Sequence, residues 1–171
     1  MSNRRTRREL LQTAGALAAT SALAGCGGTD AGETTPTAAN TLNTEQANSR
    51  VQEWMANANN FETISDRRSP NRIRYDVNVG GTDANTPLSF DRSAVVVNVN
   101  TEIRWVWTGA GGEHTVTSAA DSDFEFDSGA PTAEEGHQFS KEFEETGVAL
   151  YYCESHREQG MKGAIIVRAR N

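Results

Sequence analysis

From residue 73 to residue 169 the sequence reads in twos. In IRYDVNV, Ile73, Tyr75, Val77 and Val79 alternate with Arg74, Asp76 and Asn78, and a period of two puts the two sets on opposite faces of an extended strand. AVVVNVN, EIRWVWTG, HTVTS, HQFSKEFE, GVALYYC and GAIIVRA follow, separated by Gly, Asn, Asp or Pro, which punctuate strands and form turns. Seven or eight short strands in about a hundred residues predict an all-β chain folded as a Greek-key β-sandwich over 70–171. Within EIRWVWTG the alternation puts Ile103, Trp105 and Trp107 on one face, so both tryptophans are expected to fill or rim the core.

Upstream the period changes. Ala47, Val51, Trp54, Met55 and Ala58 recur at three- and four-residue intervals, predicting one short amphipathic helix over 44–61 with Thr44 as N-cap and Asn59-Asn60 as stop. Its apolar stripe is expected to lie on the domain that follows. Residues 26–43, rich in Gly, Thr, Ala and Asn without apolar periodicity, are expected to act as a flexible tether. Residues 1–25 read as a signal peptide: an arginine pair, Arg7-Arg8, precedes an apolar run from Leu10 to Ala24 that is too brief and alanine-rich for a membrane span. Thr6 to Leu11 resembles a twin-arginine export motif. Leu23-Ala24-Gly25-Cys26 resembles a lipobox, in which the cysteine is lipidated and becomes the mature N-terminus. The expected location is therefore the extracytoplasmic face of the cell membrane, held by a lipid anchor.

Charge narrows the partners. The formal net charge is −7, and because Arg4, Arg5, Arg7 and Arg8 are opposed only by Glu9 before Cys26, the remainder is more acidic still. Such a surface repels phosphates and argues against nucleic acid. Only Lys141 and Lys162 are lysines among the 16 basic residues, a bias often seen in proteins of salt-rich media.

The chemistry is concentrated in ALYYCESHREQGMKGAIIV, residues 149–167. The chain has two cysteines; if Cys26 carries lipid, Cys153 has no disulfide partner, and a lone thiol in an exported protein needs a role. His156 and Met161 lie just beyond it. A thiolate, an imidazole and a thioether together suit soft or borderline transition metals. Three histidines are available for a further ligand. His114 follows the Gly-rich TGAGGE and opens one strand as Cys153 ends another, so a sandwich that pairs these ends brings them together; His137, in the polar loop PTAEEGHQFS, is expected at the surface. Two imidazoles and a thiolate in a plane, with a weak axial thioether, form the blue-copper arrangement, acceptable to both Cu(I) and Cu(II).

These residues carry a family resemblance. The spacing of Cys153, His156 and Met161, the following Lys162-Gly163 and apolar last strand, WVWTGAGGEHTV and FDSGAPTAEEG make the chain resemble the cupredoxins, and within them the halocyanin and plastocyanin branch. The resemblance implies one copper ion per chain, with His114, Cys153 and His156 equatorial and Met161 axial. It implies an electron carrier that works between membrane-bound redox proteins, its donor and acceptor, as a monomer, with no small-molecule substrate and no enzymatic activity. It also implies that His156 is the ligand nearest solvent, within an apolar rim, and Tyr152 offers a second route to the thiolate. Thr115 departs from the Asn usual after the first histidine, where the residue ties the two ligand loops together. The competing function is extracytoplasmic copper storage or delivery, which would more often show several Met and His in mobile segments; here Met1 and Met55 are the other methionines. Zinc is chemically possible at a Cys-His-His set, but it leaves Met161 unexplained.

Overall fold

The structure, a computed structural model, describes residues 43–82 and 86–170. The expected signal peptide, Cys26 and the expected tether up to residue 42 lie outside the described residues. Helix α1 (Thr44–Met55) is followed by β1 (Ser65–Asp66), β2 (Arg74–Val79), β3 (Ala94–Asn98), β4 (Thr101–Trp107), β5 (Thr117–Ser118), β6 (Gln138–Phe143), β7 (Gly147–Tyr152) and β8 (Lys162–Arg168). They form two sheets, one in the order β1-β3-β8-β7-β5 and the other β2-β4-β6. From β1 to β7 successive strands alternate between the sheets, and β7 and β8 form an antiparallel hairpin within the larger one.

Both tryptophans of β4 are interior. Trp105 stacks on Phe126 at 5.4 Å and Phe139 at 5.5 Å and meets Tyr151 edge-on at 5.4 Å. This aromatic group joins Val77, Ile103, Ala149, Cys153, Ile165 and Val167 in the core between the sheets. β7 and β8 are buried on both faces. Ala149 and Tyr151 point into that core, whereas Val148, Leu150, Ala164 and Ile166 point outward into a second cluster with Ala47, Val51 and Met55 of α1. The helix therefore covers the outer face of the larger sheet, as its apolar stripe requires.

Four expectations change. The helix begins after Asn43, whose side chain accepts from the Gln46 N–H while the Gln46 side chain accepts from the Asn43 N–H, a capping box that makes Asn43 the N-cap instead of Thr44. It ends at Met55, short of residue 61. Beyond it Asn59 leaves the helical path, its N–H donating to the Gly160 carbonyl at 2.8 Å. HTVTS is extended but keeps only Thr117–Ser118 as a strand, with His114 on an isolated bridge to Thr132. The sandwich also starts earlier than residue 70, because Ser65–Asp66 pairs with Val95–Val96. A two-residue strand has no periodicity to betray it.

Further bonds fasten α1. Trp54 Nε1–H donates to the Gly163 carbonyl at 3.1 Å, and the Arg50 guanidinium grips the Asp123 carboxylate at 2.9 Å. Gly163 faces Tyr151 across the β7–β8 ladder, and the Tyr151 ring occupies the space that a Cβ at residue 163 would need. Gly163→Ala is therefore expected to lower the unfolding free energy by about 1–3 kcal/mol, the usual cost of overpacking; urea denaturation checks this.

Candidate metal centre

β7 ends directly in Cys153, which is fully buried. The loop from Cys153 to Met161 closes on itself: the Cys153 N–H donates to the Met161 carbonyl at 3.1 Å, the His156 N–H to the Cys153 carbonyl at 3.2 Å, and the Met161 N–H to the His156 carbonyl at 3.1 Å. The three backbones are thus fixed to one another, and Met161 is buried in the same apolar cluster as Cys153.

His114 arrives from the other sheet. After Trp107 the chain turns back through the Gly-rich loop, and Trp107 Nε1–H donates to the His114 carbonyl at 3.2 Å. The His114 N–H donates to the Thr132 carbonyl at 2.9 Å, and the Thr132 N–H to the His114 carbonyl at 3.2 Å. Gly111, at φ 83°, is needed on two counts: its backbone is left-handed, and a Cβ would lie 2.9 Å from His114 Nε2 and 2.5 Å from the Pro87 carbonyl oxygen.

The side chains converge. His114 Nδ1 and His156 Nδ1 are 3.2 Å apart, and Cys153 Sγ lies 3.7 Å from the first and 3.4 Å from the second. A point equidistant from all three lies about 2.0 Å from each, the length of a metal–imidazole bond and a little short of a metal–thiolate bond. The donor set therefore fits a metal ion. Among the described residues this is the one such group of His, Cys and acidic side chains. His114 Nε2 lies 2.9 Å from the Ala110 carbonyl oxygen, which accepts a hydrogen bond from Nε2–H and so leaves Nδ1 as the lone-pair nitrogen facing the other two donors. Burial pushes the His114 imidazole below its ordinary pKa, against a smaller upward pull from Ala110, so the neutral form a metal requires is favoured.

Thr115 makes the tie expected of Asn. Its hydroxyl accepts the Glu154 N–H at 3.0 Å, and its own N–H points at Cys153 Sγ at 3.5 Å, a donor that stabilises negative charge on sulfur. A second clasp has no counterpart in the sequence reading. Asn59 Nδ2 donates to the carbonyls of Leu88 and Gln159, both at 2.7 Å, and its N–H bonds Gly160. An Asn after a helix reads as a stop signal, so only the tertiary contact reveals this role.

Of the remaining expectations, His137 stands outside the group, edge-on to Trp107 at 4.9 Å. His156 is half-buried while His114 and Cys153 are enclosed. The apolar rim is not made of large exposed side chains: among the described residues Ile73, just before β2, is the exposed large hydrophobic. Exposed Ala110, Gly111 and Gly112, with half-buried Pro87 and Leu88, lie on the His114 side instead.

Residues 75–168 match the family described as copper binding proteins, plastocyanin/azurin family. The chain belongs to this family. It is 51% identical over 83 residues to a halocyanin of Natronomonas pharaonis, a stretch that is 48% of this chain and 50% of the relative; the chain thus matches about half the length of that curated relative. Among solved structures it is similar to plastocyanin from Dryopteris crassirhizoma, at 17% identity and a TM-score of 0.45 over 55% of this chain and 100% of that one. It is also similar to a copper-containing nitrite reductase from Thermus scotoductus, at 17% identity and a TM-score of 0.48 over 62% of this chain and 28% of that one. As a cupredoxin, the protein is copper-binding, with one type 1 site.

Thr115→Val, which keeps the shape and removes the hydroxyl, is expected to leave the Glu154 N–H unpaired and lower the unfolding free energy of the metal-free protein by about 1 kcal/mol. Thr115→Asn, which retains an acceptor, should lose less; denaturation of the two variants beside the parent checks the order.

Proposed function

We propose that the protein is a mononuclear blue-copper electron carrier with His114, Cys153 and His156 as equatorial ligands and Met161 as the axial one. In this reading a lipid on Cys26 anchors it to the outer face of the cell membrane, and it passes single electrons between membrane-bound redox proteins without converting a substrate. The observation that carries the reading is the mutual approach of the His114, Cys153 and His156 donor atoms, all within 4.8 Å of one another. Bound copper supplies a Cu(II)/Cu(I) couple that this mixed soft and borderline set accepts in both states. The chain's own residues hold the geometry: the closed ligand loop, the Thr132 and Trp107 bonds to His114, and the two clasps leave little to rearrange when charge changes. His156, the half-buried member, is the place where electrons enter or leave. The halocyanin likeness supports the same role, and the described residues contain no helix long and apolar enough to cross a membrane.

The optical spectrum of the purified oxidised protein tests the ligand set. An intense thiolate-to-copper band is expected; Cys153→Ser should abolish it and bind copper much more weakly, because a hydroxyl replaces a soft anionic sulfur, whereas His137→Ala should change neither property. Bleaching by His137→Ala with colour retained in His114→Ala would overturn the assignment. Met161→Leu should keep the metal and raise the reduction potential, since loss of a donor and a drier site disfavour the more charged ion; Met161→Gln, bringing oxygen to the axis, should lower it. Voltammetry reads both signs. Cys26→Ser should release the exported protein from membranes or block its processing, and fractionation with unchanged attachment would remove the anchor from the proposal.

A further inference from the structure

Away from the metal centre, a cleft of about 640 Å³ is lined by Arg67, Arg72, Arg74, Arg92 and Arg104 together with Tyr75 and Asp76. Five guanidiniums in one place stand out on a chain whose formal charge is −7. Two of them are neutralised: Arg104 pairs with Asp76 at 2.5 Å and Arg74 with Glu102 at 2.9 Å. Arg67, Arg72 and Arg92 have no carboxylate partner among the described residues. They gather around Tyr75, with the Arg72 and Arg92 guanidiniums 5.6 and 5.9 Å from its ring centre. Tyr75 is 6% exposed, and its hydroxyl is buried without a geometrically sound hydrogen-bond partner among the described residues. Burial raises the pKa of that hydroxyl, while the positive charges of Arg92, Arg67 and Arg72 pull it back down, so the group remains a neutral donor.

The backbone supplies an independent sign. Among the described residues, three that are not glycine have positive φ, namely Asn60, Arg92 and Asn100. Asparagine adopts this region readily; a long side chain is strained there by the clash of its Cβ with the backbone. Arg92 holds φ 58° in the turn before β3, where glycine would be unstrained, and from there its Nη1 donates to the Asp76 carbonyl at 3.3 Å while the guanidinium faces Tyr75. Strain kept at a bulky residue points to use.

We propose that this cleft is a binding site for a phosphate-type oxyanion, received by Arg67, Arg72 and Arg92 above Tyr75. A single carboxylate is satisfied by one guanidinium fork, as Asp76 already is by Arg104. Three guanidiniums without a carboxylate, and a hydroxyl, call instead for a tetrahedral anion with several acceptor oxygens and up to two charges, either free phosphate or the phosphate of a lipid headgroup. Arg74 and Tyr75 open β2, whereas the turn toward His114 follows the paired ends of β2 and β4 at Val79 and Trp107; the bound anion and the metal centre therefore occupy different ends of that strand pair.

The test is titration of the copper(I)-loaded full chain, which is diamagnetic, with inorganic phosphate at low ionic strength, following the arginine Nε–H resonances. Saturable shifts at Arg67, Arg72 and Arg92 are expected, absent with sodium chloride at matched ionic strength. Glycerophosphoglycerol, a soluble diester headgroup, is titrated in parallel: tighter binding than phosphate assigns the site to a lipid surface, weaker binding to the free anion. Arg72→Gln should weaken either ligand about tenfold, the worth of one charge-assisted hydrogen bond. Arg92→Gly should do the same while raising the melting temperature, because it removes the cation and the strain together. Shifts that chloride reproduces, shifts that persist unchanged in both variants, or binding of hexaglutamate without binding of phosphate would overturn the proposal.

Discussion

The burial of β7 and β8 on both faces is the constraint on which the metal centre rests. A strand with one solvated face tolerates some slippage, but here each register position is specified twice, by the aromatic core on one side and by α1 on the other. A shift of one residue would turn Tyr151 and Cys153 out of the core and Leu150 and Tyr152 into it, exchanging two full sets of side chains. Register in turn sets the loop. With Tyr152 opposite Lys162, the next bond across the hairpin is from the Cys153 N–H to the Met161 carbonyl, and the sulfur and the thioether residue are held at the same level.

From that level the geometry is assembled by contacts that cost little individually. His114 is the one ligand candidate from another part of the chain, and its backbone is held by Trp107 on one side and Thr132 on the other. The bond to Ala110 chooses its tautomer. A tautomer fixed by a neighbour is ready for an ion before the ion arrives, so binding need not reorganise the ring. The same preorganisation suits a centre that alternates between two oxidation states, since neither state has to draw the donors to itself.

Periodicity made most of this legible. The alternation in RYDVNV and TEIRWVW, and the unbroken apolar stretch of the β7 and β8 segments, gave strand positions and correctly enclosed Trp105 and Trp107. The loop spacing brought Cys153, His156 and Met161 to attention, and the strand-end argument selected His114 over His137. What stayed hidden was tertiary. Ser65–Asp66 is too short to show a period, and Thr115 in place of Asn looks like a lost tie by residue type, although its hydroxyl accepts from the Glu154 N–H; the N-cap, by contrast, is legible locally, since Asn outranks Thr there and Gln46 follows Asn43 at capping-box spacing. The arginines of the cleft are scattered from residue 67 to residue 104 and pass as ordinary surface charge in a linear reading.

Asn59 also bears on where this protein begins as a unit. The family match starts at Tyr75, yet the side chain that joins Leu88 to Gln159, and the helix that seals the outer face of β7 and β8, both precede it. Homology and cooperativity therefore draw different borders. A fragment cut at the homologous border would retain every candidate ligand but expose Val148, Leu150, Ala164 and Ile166 as an apolar sheet face and release the ligand loop on one side. Anyone transplanting the centre into another scaffold must carry α1 and its trailing segment along with the sandwich.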